Sequence, residues 1–230
     1  MKKALLIAAV LLIAPMVSIA AETAPKAPEA SQSVPKQKPK AAKYQEGVHY
    51  TVINQGPATS KPEITEFFSF YCPHCYTFAK TEVPKIKKRL PAGVKFNQVQ
   101  VDFLGGKGKN GVNMGDVMAR AFAIAQLLKV EETIEPAIFS AIHDKRQRFT
   151  SLDDVKALFV ANGVEAEEFD AAANSFMVNA QMAQMVRETK DAGINGVPTL
   201  IVNGKYRVET KAIKSYDEML DIAFYLSTLK

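Results

Sequence analysis

Glu63-Ile64-Thr65-Glu66-Phe67-Phe68-Ser69-Phe70-Tyr71-Cys72-Pro73-His74-Cys75 is the stretch that decides the fold. Its first nine residues are aromatic-rich and follow Pro62, the composition of a strand buried on both faces. The two cysteines come next, and a helical pattern continues to about Leu90, with a kink expected at Pro84. Val94 to Phe103 reads as a further strand, so the order is strand, helix, strand, a βαβ unit with a right-handed crossover.

Further outward, Val48 to Ile53 is β-prone and is closed by the turn cluster Asn54-Gln55-Gly56-Pro57. Gly105 to Gly111 lacks the phosphate-cradling pattern and reads as a linker. From Val112 to Ala192 the helical period dominates, with an N-cap at Ser151 and a stop at Asn162-Gly163. β character returns at Val197 to Val202, and Asn203-Gly204 is expected to form a two-residue hairpin turn into Tyr206-Arg207-Val208. An amphipathic helix from Ser215 to about Leu229 closes the chain. A βαβ half and a ββα half are thus separated by a long helical segment, an α/β architecture.

The N-terminus reads differently. Lys2 and Lys3, the apolar run Ala4 to Val17 and the small residues Ser18-Ile19-Ala20 form a secretory signal, with cleavage expected after Ala20 or Ala21. A membrane span needs about 20 apolar residues, so this run is short for an anchor, and stable membrane insertion is not expected. Glu22 to Lys43 holds four prolines, five alanines and five lysines, with Val34 its single large aliphatic residue. It cannot bury enough apolar surface to offset its ordering entropy and reads as a disordered leader. The expected organisation is a signal peptide at 1–20, the leader at 21–43, a first sheet part at 44–106, a helical insertion at 107–190 and a second sheet part at 191–230. The formal charge of +5 belongs to the first 43 residues, since Tyr44 to Lys230 carries 22 basic and 22 acidic side chains. The charge therefore gives no case for a nucleic-acid partner.

A bridge between Cys72 and Cys75 would close so small a loop that its value to stability is slight. At a helix N-terminus, however, a thiolate meets unpaired N–H groups and the positive end of the dipole. Cys72 is expected to be the exposed, attacked sulfur, with His74 a cationic neighbour and Pro73 tightening the turn. A stabilised thiolate favours the reduced pair and makes the disulfide an oxidant. A structural zinc site wants four ligands, and the chain offers two cysteines and His49, His74 and His143, so no metal is expected. His143 reads as a solvated helix end, and the methionines from Met177 to Met185 read as core. Pro198 opens a strand, where a missing donor marks an edge or bulge.

The run Glu66 to Tyr76, with Gly196-Val197-Pro198 and Asn203-Gly204-Lys205-Tyr206, resembles the DsbA family of bacterial periplasmic disulfide oxidases from Tyr44 to Lys230. That family has a strongly depressed cysteine pKa and an oxidising dithiol, so the resemblance implies the same direction here. The resemblance implies a thioredoxin-like fold with an inserted all-helical domain, in the periplasm; a monomer is expected, since the leader lacks the apolar repeat that a dimer interface would need. It implies no cofactor beyond the redox-active disulfide Cys72–Cys75. Unfolded, cysteine-containing exported proteins are the implied substrates, and a quinone-linked, DsbB-like inner-membrane oxidase is the implied reoxidant. Cys72 and Cys75 become the attacked and inner cysteines, Pro198 a cis proline, and Val197 and Thr199 its flanking substrate platform. Glu66 becomes a buried acid that manages the proton of Cys75. Two departures stand out: Gln98 occupies the position where family members often carry a lysine opposite that acid, and Ala79 replaces an acidic residue of the active helix. The segment Val208 to Lys214 is also shorter than the family's loop beside the peptide groove. The rival readings are a disulfide isomerase or reductase, and a peptide-binding chaperone with an incidental dithiol.

Overall fold

The structure is a computed structural model that describes residues 43–53 and 59–229; the expected signal peptide, the expected leader up to residue 42 and the expected turn at 54–57 lie outside them. Five strands form one sheet in the order β1-β5-β4-β2-β3, with β1 Tyr50–Val52, β2 Glu63–Phe68, β3 Lys95–Gln100, β4 Thr199–Val202 and β5 Tyr206–Val208. β2 and β3 are parallel, as a helical crossover requires, and the other pairings are antiparallel. β2 is buried from Ile64 through Phe68 because β3 and β4 flank it and packed side chains cover it, which is why its sequence does not alternate. The strand ends three residues earlier than its aromatic run, and Ser69 to Tyr71 make a loop that delivers Cys72. β3 and β4 are likewise shorter than the expected runs.

The helix after Cys72 is two helices, α1 Pro73–Thr81 and α2 Val83–Arg89, rather than one kinked helix. Pro84 has no N–H to give a preceding turn, so the chain restarts at Glu82 and the proline takes a first-turn position in α2. The hairpin between β4 and β5 also departs from expectation. Asn203 and Gly204 both adopt positive φ, and Lys205 N–H closes the turn onto Val202 O at 3.0 Å. Val202 nevertheless pairs with Tyr206, so Lys205 makes the loop three residues long.

Between β3 and β4 run α3 Met114–Leu128, α4 Glu131–His143, α5 Leu152–Ala161, α6 Ala166–Ala173 and α7 Phe176–Asp191. The fold is thioredoxin-like with an all-helical insertion. Ser151 and Asp154 form a reciprocal capping box at the start of α5, and Gly163, at φ 92°, follows its end. The last helix, α8 Tyr216–Ser227, is capped by Ser215. α3 starts so close to the loop after β3 that a Cβ on Gly115 would sit 1.9 Å from Asp102 O.

Two hydrophobic clusters hold these parts. One joins Ile64, Leu200 and Val202 of the sheet to Phe78, Ile86 and the inner residues of α8. The other joins Phe67, Phe68, Phe70 and Val99 to α3 through α7. At its centre Phe68 meets Phe70 and Phe122 edge-on at 5.2 and 5.1 Å, and Phe70 meets Phe139 at 4.9 Å. The helical segment therefore packs on the same aromatic run that leads into the cysteines. Met185 of α7 is buried in this cluster, but Met177 is 59% exposed and does not fill core as expected.

Candidate active site

Cys72 is the N-cap of α1, with extended φ and ψ of −95° and 116°. Its sulfur accepts the N–H of Cys75 at 3.3 Å, and Pro73, the first helical residue, has no N–H to compete. The structure holds the pair as unbridged thiols. The Cys72 thiol is pulled down to about 6, first by the hydrogen bond from the Cys75 side chain. Backbone N–H groups of Cys75 and His74 and the charge of His74 add to this, while burial opposes it.

Cys72 is 7% exposed, a correction to the expectation of an exposed sulfur. The reason is the chain opposite: the thiol reaches Val197 O at 3.4 Å, and the Val197–Pro198 peptide is cis. His74 is exposed beside it, as is Pro73. His74, Val197 and Pro198 line a cleft of 530 Å³ with Ile213, Tyr216 and Met219. Thr199 opens β4, pairs with Phe67 and turns its hydroxyl back to Gly196 O at 2.8 Å.

Cys75 is fully buried, and burial drives its thiol far above the ordinary range, with Cys72 and Glu66 pushing the same way. Glu66 is 1% exposed in β2, between Leu200 and Gln98 in the sheet register. Burial, followed by the charge of Glu135, raises its carboxyl to about 8, while the hydrogen bond from Gln98 works against the rise. Gln98 Nε2 donates to Glu66 Oε2 at 3.0 Å and to Glu135 Oε1 at 3.1 Å. Gln98 thus stands opposite the acid, as its sequence position implied. Ala79 is half-buried on α1, packed against the larger cluster.

Three residues of the surroundings escaped sequence reasoning. Gln100, 1% exposed, accepts Phe70 N–H at 3.0 Å and donates to Val101 O at 2.7 Å, bracing the loop before Cys72. His143 hydrogen-bonds Phe70 O through Nε2 at 2.8 Å and stacks on Tyr76 at 4.9 Å, so it is a half-buried brace rather than a solvated helix end. Glu135 precedes Ile138 and Phe139 by three and four residues, on the apolar stripe of α4, and that misplaced charge was the available signal. Among the described residues, no cluster of three or more His, Cys, Asp or Glu side chains could hold a metal ion, and no helix is long and apolar enough to cross a membrane.

A dithiol at the start of a helix, one thiol lowered and one raised, facing a cis proline across a thioredoxin-like sheet, defines a thiol–disulfide oxidoreductase. The comparisons with known proteins make the assignment narrower. Residues 63–221 match the DSBA-like thioredoxin domain. The thiol:disulfide interchange protein DsbA of Pectobacterium carotovorum is 40% identical over 198 residues, covering 83% of this chain and 91% of that protein. DsbA of Escherichia coli K12 is 35% identical over 192 residues, covering 83% and 88%. Among solved structures, a complex of Proteus mirabilis DsbA with a non-covalently bound peptide PWATCDS is 36% identical, with a TM-score of 0.72, covering 82% of this chain and 100% of that one. The chain belongs to the DsbA family.

Proposed function

We propose that this protein, in the periplasm, donates the Cys72–Cys75 disulfide to unfolded, cysteine-containing exported proteins and is then reoxidised by a quinone-linked membrane oxidase. The observation that carries the direction is Cys72 at the N-cap of α1, its sulfur accepting the Cys75 N–H and its thiol drawn down to about 6. Stabilising that thiolate stabilises the reduced pair, and so favours passing the disulfide on.

A substrate thiolate attacks Cys72 Sγ, a substrate–Cys72 bond forms and the Cys72–Cys75 bond breaks. Cys75 leaves as a thiolate in a buried place that disfavours charge, and it takes a proton from Glu66, whose raised carboxyl carries one at neutral pH. The substrate's second thiolate then attacks its own sulfur in the mixed disulfide, and Cys72 departs as the stabilised thiolate. The substrate loses two electrons and two protons; the dithiol gains both electrons, one proton rests on the Cys75 side and the other enters solvent. Val197 and Thr199 flank Pro198 beside the cleft, where an extended peptide could add along the chain by backbone bonding. The peptide complex of the Proteus mirabilis relative supports this use of the cleft.

Equilibrating the Cys72–Cys75 pair in glutathione buffers tests the direction. A potential more oxidising than about −180 mV, the level of protein disulfide isomerase, is expected, and one near thioredoxin's, about −270 mV, would overturn the oxidase reading. Cys72→Ser should abolish oxidation of a model dithiol peptide. Suppression of aggregation retained in that variant, with no disulfide-forming activity in the native chain, would point instead to a chaperone.

A further inference from the structure

We propose that Glu135 is a positioning residue of the redox reaction: the shared amide of Gln98 holds it beside Glu66, where its charge keeps Glu66 loaded with the proton that Cys75 needs. This rests on the proton role proposed above for Glu66. A primary amide nitrogen has two hydrogens and no lone pair to give, and here each hydrogen goes to a different carboxyl group. Those two oxygens lie no more than about 6 Å apart, since one nitrogen holds both within hydrogen-bonding distance.

Gln98 organises the two acids but brings no charge to offset them. Glu66 is fully enclosed in the sheet and Glu135 is half-buried on α4, so ionising both at once puts like charges together away from water. The pair therefore titrates as a unit. What surrounds them decides which one keeps the proton. Burial lifts the carboxyl of Glu135 as well, but Glu66 is the more fully enclosed of the two; Gln98 and then Lys87 on α2 favour a charged Glu135 against Glu131 on α4, while Cys72 opposes a charged Glu66 from the active loop. Among the described residues, no cation favours a charged Glu66 in the same way. Negative charge thus settles on Glu135 and the proton on Glu66, on the side that acts on Cys75.

The test follows the titration of Glu66 by carbon NMR of labelled glutamate, together with the pH profile for reaction of the reduced protein with oxidised glutathione. In Glu135→Gln the amide of Gln98 keeps two acceptors, and the Glu66 inflection should fall by about one pH unit in both measurements. Glu135→Leu, which removes the same charge with an apolar side chain, should lower the inflection as well, so the inference does not hang on one variant's folding. Glu132→Gln, which breaks only the exposed 3.0 Å pair with Lys87, is the control and should move it by less. A Glu135→Gln profile superimposable on the native one, while Glu66→Gln loses the inflection, overturns the inference alone. A Glu66→Gln profile that is itself unchanged overturns the proton role of Glu66, and this inference with it.

Discussion

Cys72 and Cys75 share one helical turn and one dipole, yet their thiols are driven in opposite directions. On the outer side, Cys72 lies against a cleft, accepts a hydrogen bond and has His74 beside it. On the inner side, Cys75 meets fully enclosed packing and, beyond it, the acids Glu66 and Glu135. The helix N-terminus is common to both, so it cannot be what separates them. Burial and the neighbouring negative charge outweigh it at Cys75, whereas at Cys72 burial loses to hydrogen bonding, with the charge of His74 on the winning side.

The most severe way to break this comparison is to remove one sulfur. Cys75→Ser should lose dithiol oxidation entirely and accumulate a mixed disulfide between Cys72 and a disulfide peptide, visible by mass spectrometry. If peptide is released as fast as from the native protein, the division of roles is wrong.

The next largest effect belongs to the inner side. Glu66 carries a raised carboxyl, so its native form costs stability as pH climbs from the ordinary carboxylate range towards about 8. Glu66→Gln should therefore stabilise the protein by on the order of 2 kcal/mol at pH 7 and by almost nothing near pH 4, read from urea unfolding. A variant equally stabilised at both values would place the cause in packing, not charge.

Cys72 works with the opposite sign. Its depressed pKa adds stability to the dithiol form that is full above the ordinary thiol value and lost as pH falls through about 6. At pH 7 this amounts to on the order of 1 kcal/mol, so the melting temperature of the reduced form should fall relative to the oxidised form as pH drops from 8 to 5, apart from any change at Glu66. Calorimetry of both redox forms checks it, and parallel curves would count against a stabilised thiolate.

The smallest change is His74→Ala. The charge of His74 is the last of the influences lowering Cys72, behind the hydrogen bonds, so thiolate absorbance should titrate less than about one pH unit higher. A larger shift would move the weight of the outer side from the helix turn to the histidine.

Much of the outer side was legible because it is contiguous. Cys72 to Cys75 sit between an aromatic strand run and a helix, and both patterns are local. The inner side was legible at Cys75 and, through the family resemblance, at Glu66 and Gln98. Glu135 lies far along the chain, and its place beside Gln98 depends on α4 coming within hydrogen-bonding reach of β3, which no local period encodes. The same holds for His143 and Gln100, whose partners are backbone groups of the loop before Cys72. The strand and hairpin errors were boundary effects: aromatic content extends past the last paired residue of β2, and Lys205 adds to a turn that Asn203-Gly204 alone would close.

The bond from His143 to Phe70 O, with Phe139 and Phe122 closing on Phe68 and Phe70, sets a limit on miniaturising the enzyme. A protein engineer who cut 107–190 to obtain a bare sheet with its dithiol would uncover these rings and release the loop that aims Cys72. The shortened chain would be expected to clump through the face its helices once covered, before its redox chemistry could be assayed. The helical segment is thus part of the tool, not a detachable handle.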